Sequence, residues 1–121
     1  MIMENTKEEI TLPHIVFRGI NIQQLKNISK PLLEELADIC ECGTDNFTFE
    51  LPSSVFVFNG EETEAFPLIE VKWFERGQQI RNLFAQAVTN YLLELGLPEV
   101  EVVFTAYSEE AYYINGKHCA E

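Results

Sequence analysis

The amino-acid sequence predicts an α+β fold: a tandem βαβ repeat giving a four-stranded mixed sheet with two helices on one face. Three observations predict it. Pro13-His14-Ile15-Val16-Phe17-Arg18 and Pro67-Leu68-Ile69-Glu70-Val71-Lys72 share proline, isoleucine, an apolar residue and a cation at matching places. Each run leads into a stretch of helical spacing, and each helical stretch leads into a further β-branched or aromatic run. Proline suits the first position of a strand, where no ladder donor is needed, and recurrence of one such unit reads as a repeat. Two units of this kind make one sheet covered by both helices.

Taken in order, residues 1–12 form a polar, acidic extension without period, and 13–121 form a single domain with repeats at about 13–58 and 67–106. The first strand is the β-branched and aromatic run closed by Gly19. Asn21 caps the helix that follows, with Gln24 in the reciprocal place of a capping box, and Leu25, Ile28, Leu32, Leu36 and Ile39 recur at helical spacing. Pro31 falls inside this pattern, where it removes a backbone donor. Either the helix bends there or its regular part begins near Ser29. Gly43 to Asn46 is a turn, and Phe47 to Phe58 is a second strand interrupted near Pro52-Ser53-Ser54. Asn59 to Phe66 reads as an acidic loop, Pro67 to Phe74 as the third strand, and Gln78 to Leu95 as the second helix. Gly96 and Pro98 end that helix before Val100 to Phe104 supplies the fourth strand. A short extended piece follows at Tyr112-Tyr113-Ile114, with Asn115-Gly116 as a turn.

Composition narrows the function classes. The 46% hydrophobic and 23% charged residues are those of a folded globular chain. Twenty acidic against 8 basic side chains give a net charge of −12, which repels phosphate, so no nucleic acid partner is expected. No run approaches the roughly 20 apolar residues of a membrane span, and the first residues lack the pattern of a signal peptide. The expected location is cytoplasmic, with no membrane partner. Three cysteines are an odd number and agree with a reducing compartment. Cys40 and Cys42 with His118 and Cys119 lack the C-x-x-C spacing of zinc knuckles and read as ordinary thiols. No metal and no cofactor are expected. Phosphate-binding loops, dinucleotide fingerprints and nucleophile elbows are missing from the sequence.

The outer face of the sheet points to self-association. If Ile15, Phe17, Ile69 and Val71 meet the helices, alternation turns Val16 and Leu68 outward with His14, Arg18, Glu70 and Lys72. A face of mixed apolar and charged residues suggests burial against another subunit around a polar centre; the alternative is a wet face.

A strand opening with Pro13, a βαβ unit repeated from Pro67, and a chain of this length resemble the tautomerase superfamily. Macrophage migration inhibitory factor and the 5-carboxymethyl-2-hydroxymuconate isomerases are its two-repeat members. Closer still, Pro13-His14 with Arg18-Gly19, Glu70-Val71-Lys72-Trp73-Phe74-Glu75-Arg76-Gly77 and Tyr112-Tyr113-Ile114-Asn115-Gly116 are similar to an uncharacterised bacterial family assigned to that fold. The resemblance implies a homotrimer with its sheets facing inward. It also implies a pocket near Pro13 at a subunit boundary, a small carboxylate ligand, and enol–keto isomerisation of an α-keto acid with an amino-terminal proline as base.

Two departures from that pattern stand in the sequence. Pro13 follows Leu12, so its nitrogen is an amide and carries no basic lone pair. The cation that tautomerases place near the second strand is missing from Phe47 to Phe58. His14 is then the candidate base beside Pro13, because imidazole titrates near neutrality. Arg18, Lys72 or Arg76 would hold a carboxylate, and Tyr107, Tyr112 and Tyr113 would wall the pocket. The competing roles are structural: Arg18 and Lys72 pairing with Glu70, tyrosines packing an interface. Glu75-Arg76-Gly77 precedes the second helix, whose amino end is suited to an anion. Three readings remain open at this stage: a tautomerase-fold oligomer acting on or binding a small carboxylate, a non-catalytic oligomeric interaction protein, and a ferredoxin-like ligand-binding regulatory domain.

Overall fold

A computed structural model describes residues 12–120; the rest of the amino-terminal extension lies outside them. The elements are β1 (His14–Arg18), α1 (Ile22–Cys40), β2 (Thr48–Glu50), β3 (Phe56–Phe58), β4 (Glu61–Thr63), β5 (Leu68–Trp73), α2 (Gln78–Leu93), β6 (Glu101–Ala106), β7 (Tyr113–Ile114) and β8 (Lys117–His118). The main sheet has the order β2-β1-β5-β6. β1 and β2 are parallel, β5 and β6 are parallel, and β1 and β5 are antiparallel. The sheet is therefore mixed and four-stranded, built from two βαβ units joined back to back. Each opening proline marks the same place in its unit: Thr48 N–H donates to the Pro13 carbonyl at 3.0 Å, and Glu101 N–H donates to the Pro67 carbonyl at 3.1 Å. A ferredoxin-like arrangement would insert another strand between the two strands of a βαβ unit. Here they are direct neighbours, which removes that reading.

Alternation sorts the strand residues as expected. Ile15, Phe17, Ile69, Val71 and Trp73 are fully buried with Leu32, Leu36, Phe84, Val88 and Leu92 of the helices. Trp73 is the largest of them and lies against Phe84 and Phe104, with ring centroids 5.1 and 5.0 Å apart.

Helix α1 is continuous through Pro31 and does not begin near Ser29. Its start is fixed by the capping box: Gln24 N–H donates to the Asn21 side chain at 2.8 Å, and Asn21 N–H donates to that of Gln24 at 2.9 Å. Pro31 is exposed, so the carbonyl it leaves without a helical donor belongs to a solvent-facing turn. At the other end Cys42 N–H reaches back to the Ala37 carbonyl and Glu41 N–H to that of Asp38. Glu41 takes the left-handed conformation that this closure needs, without glycine.

The segment expected as one interrupted second strand divides in two. Thr48–Glu50 joins the main sheet, whereas Phe56–Phe58 leaves it to pair with Glu61–Thr63. The expected acidic loop 59–66 thus contains a strand. The reason is Asn59-Gly60, both at positive φ (56° and 82°), the backbone of a two-residue hairpin turn. Asn115-Gly116 makes the same turn between β7 and β8, at φ 52° and 86°.

Gly19 has φ +92°, and a Cβ there would meet the Phe66 carbonyl oxygen at 2.3 Å, whereas Gly96, at φ +91°, faces open space. Both Gly19→Ala and Gly96→Ala incur the left-handed penalty of about 1–2 kcal/mol. Only Gly19→Ala must also push apart the backbone where β1 leads into α1 beside the entry to β5. Urea unfolding is expected to show Gly19→Ala less stable than Gly96→Ala by about 2 kcal/mol or more.

Candidate functional site

The register defines the face of the sheet that the helices leave open. His14 lies opposite Lys72 and Thr48, Val16 opposite Glu70 and Glu50, Arg18 opposite Leu68, and Lys72 opposite Thr105. Val16 is buried on this face, at 3% exposure, between Glu50 and Glu70 in the register. The face is thus polar with an apolar centre.

A hydrogen bond and an ion pair organise it. His14 Nε2 lies 2.6 Å from Glu50 Oε1, with the side chains 37% and 51% exposed. Arg18 approaches Glu70 at 3.4 Å, and Thr105 Oγ1 donates to the other Glu70 oxygen at 3.4 Å. Arg18 is committed to Glu70 at the far end of β1, four residues from His14 and so roughly 13 Å along the strand.

The remaining candidates are dispersed. Arg76 donates to the Cys40 carbonyl at 2.9 Å, closing the carboxyl end of α1. That places it in the helix layer and off the open face. Tyr107 joins Phe74 and Tyr112 in an aromatic cluster, with centroids 4.8 to 5.4 Å apart, just beyond Lys72 and Thr105. Burial, and then the neighbouring Tyr112 and Glu70, raises the Tyr107 phenol above its ordinary value. Tyr113 sits on β7, exposed, with its ring against His118. Of the residues singled out in the sequence, the fold gathers His14, Lys72 and Tyr107 toward the Pro13 end of the open face, with Tyr112 beside them.

Pro13 itself is fully buried at that end. Leu12, its acyl partner, has φ +40°, a left-handed backbone that a residue before proline rarely takes. The amino end of α2, considered for an anion, is filled from within: Gly77 N–H donates to Glu75 Oε2 at 2.8 Å, and Arg81 pairs with the same oxygen at 2.9 Å. A cavity of about 430 Å³ opens at the second-repeat proline, lined by Phe66, Pro67, Pro98, Glu99 and Glu101. A wider, more polar cleft of about 660 Å³ lies between the start of α1 and Pro52-Ser53-Ser54. Neither borders Pro13 or His14.

Reading the sequence missed Glu50 and Phe74. Glu50 was visible in the alternation of Thr48 and Glu50 with Phe47, Phe49 and Leu51, which turns it to the face of His14 once β2 lies parallel to β1.

One family covers residues 12–118, including both repeats and the carboxyl-terminal hairpin. The chain belongs to the family described as a domain of unknown function, DUF1904. A DUF1904 structure from Sebaldella termitidis is 35% identical, covering 88% of this chain and 98% of its own, with a TM-score of 0.81. A protein of unknown function from Vibrio cholerae is 31% identical, covering 89% of this chain and 88% of its own, with a TM-score of 0.80. Beyond the family, a fused wild-type 4-OT described as an asymmetric trimer has a TM-score of 0.72 at 13% identity, covering 89% of this chain and 95% of its own. Macrophage migration inhibitory factors share the same arrangement. The fold of this DUF1904 chain is that of the tautomerase superfamily. No curated protein matches it by sequence.

Cys40 belongs to the core beneath the helices. Burial, and then the neighbouring Cys42, pushes the Cys40 thiol from 9.0 up to about 12. The unfolded chain ionises this thiol near 9, whereas the folded chain keeps it neutral until about 12. Its contribution to stability is therefore complete below pH 9 and is lost as the pH rises toward 12. Comparing denaturant midpoints of the parent and Cys40→Val across this range, the parent is expected to lose stability more steeply. Native Cys40 is also expected to resist alkylation by iodoacetamide at pH 8 until the chain unfolds.

Proposed function

We propose that this DUF1904 protein forms a homotrimer through the open face of its sheet and isomerises a small keto/enol carboxylate at a subunit boundary beside Pro13. His14 is the proton carrier and Lys72 the cation for the substrate carboxylate. The observation that carries this reading is the placement of His14: half-exposed, next to the amide-blocked Pro13, and directly across the strand pair from Lys72.

The chemistry needs one base and one fixed cation. Neutral imidazole accepts the enol O–H proton, the O–H electron pair closes the carbonyl as the C=C pair moves onto carbon, and the imidazolium so formed returns that proton to carbon, giving the keto form with no net change in protons. Electrostatic attachment of the carboxylate to Lys72 would hold the reacting carbon near the imidazole, and water exclusion by a neighbouring subunit would strengthen that attachment. Tyr107 and Tyr112 supply an apolar wall with phenol groups at its edge. The fused 4-OT structure described as a trimer supports the assembly, and the exposed apolar residues of the two hairpins give it surface to bury.

A second reading, a trimeric interaction protein without catalysis, is favoured by one observation: the Pro13 nitrogen is acylated and its ring buried, so the amine of the superfamily's chemistry is not available in the intact chain. Ketonisation of phenylpyruvate enol separates the two. The parent is expected to accelerate it, and His14→Ala to lose about 10²-fold of that acceleration. Equal rates in the two proteins, or no acceleration by the parent, contradict catalysis and favour the interaction role.

A further inference from the structure

A neutral imidazole has one N–H and one lone pair, and the partner of one nitrogen decides which atom is left to act as base. The bond that decides it here runs between strands. β1 and β2 are parallel, with His14 opposite Thr48 and Val16 opposite Glu50. Glu50 is thus the diagonal neighbour of His14 on the open face, within reach of a long side chain. Its Oε1 lies 2.6 Å from Nε2 of His14. An ionised carboxylate only accepts, so the proton of neutral His14 must sit on Nε2. Among the described residues of the neighbouring strands, the other charged residue in register with His14 is Lys72 of β5, which donates and cannot take a proton from the ring.

We propose that Glu50 is the positioning residue of the site: it fixes His14 as the Nε2–H tautomer and leaves Nδ1 as the atom that exchanges the substrate's proton. This rests on the reading of His14 as proton carrier. β2 is only three residues long, and its side-chain order fits the role: Phe49 packs into the core while Thr48 and Glu50 face outward. The ring contact of Phe49 with Phe17 anchors the short strand, at 5.1 Å between centroids. The same packing therefore sets where the Glu50 carboxylate begins.

Two readouts on the intact protein test it, one of them independent of catalysis. In ¹⁵N-labelled protein at a pH where His14 is neutral, long-range ¹H–¹⁵N spectra are expected to show protonated Nε2, with a downfield N–H signal protected from exchange. That signal should persist in Glu50→Gln, which keeps an acceptor, and vanish in Glu50→Ala. In the enol assay Glu50→Ala is expected to lower kcat about tenfold with KM unchanged, and Glu50→Gln to recover part of it. A protected Nε2–H signal in Glu50→Ala, or a proton on Nδ1 in the parent, overturns the assignment. An assay indifferent to His14→Ala, with the Nε2–H signal lost in Glu50→Ala as expected, rejects proton transfer by His14 while Glu50 still fixes its tautomer.

Discussion

The antiparallel pairing of β1 with β5 is the constraint on which the rest depends. Each βαβ unit alone has two parallel strands and one helix, too little to bury an apolar face. Pairing His14 with Lys72, Ile15 with Val71 and Phe17 with Ile69 merges two half-cores into one, with Trp73 closing it. The same register turns His14, Lys72 and Glu70 to the opposite side. One set of hydrogen bonds therefore fixes both the core and the candidate site, and a slip of one residue would exchange them.

What the single chain leaves open is as informative as what it buries. β6 is six residues long and, among the described residues, pairs on one side only, with Val103 outward and 45% exposed. Such an edge invites a further strand. Val57 and Phe58 on the first hairpin are 67% and 75% exposed, more apolar surface than two isolated strands are suited to present to water. A chain carrying a net charge of −12 repels its own copies, so any assembly must concentrate apolar contacts. On the open face Val103, opposite Glu70, offers such a contact, and Arg18 with Glu70 keeps opposite charges matched beside it.

Much of the fold was legible in the sequence because its signals are local and repeated. Asn21 with Gln24 announced the start of α1, and the Pro13 and Pro67 runs announced the repeat. The hairpin at Asn59-Gly60 was equally local, but three glutamates made the segment look like a loop, and β-propensity gave way to turn geometry. Pro31 left two readings, a bend or a start near Ser29, and the capping box and an apolar stripe carry the helix through it from Ile22. The candidate site was legible only in part. His14, Lys72 and Tyr107 lie toward one end of the sheet because of strand register, which alternation partly encodes. Arg18 was singled out by charge with pairing to Glu70 as its competing role, and that pairing is what forms, whereas charge alone does not reveal that the end of α1 holds Arg76. Glu50 was passed over because its partner lies 36 residues away and becomes visible only when β2 is set beside β1.

Pro13 is acylated and buried, so the chemistry proposed for this chain depends on an assembly that brings subunits together around His14 and Lys72. Sedimentation equilibrium of the intact chain at micromolar concentration tests that claim most directly. A homotrimer gives a single species of three times the 13.9 kDa of one chain. A monomer or a dimer would contradict it, since no trimeric boundary would then exist beside Pro13 for a site to occupy.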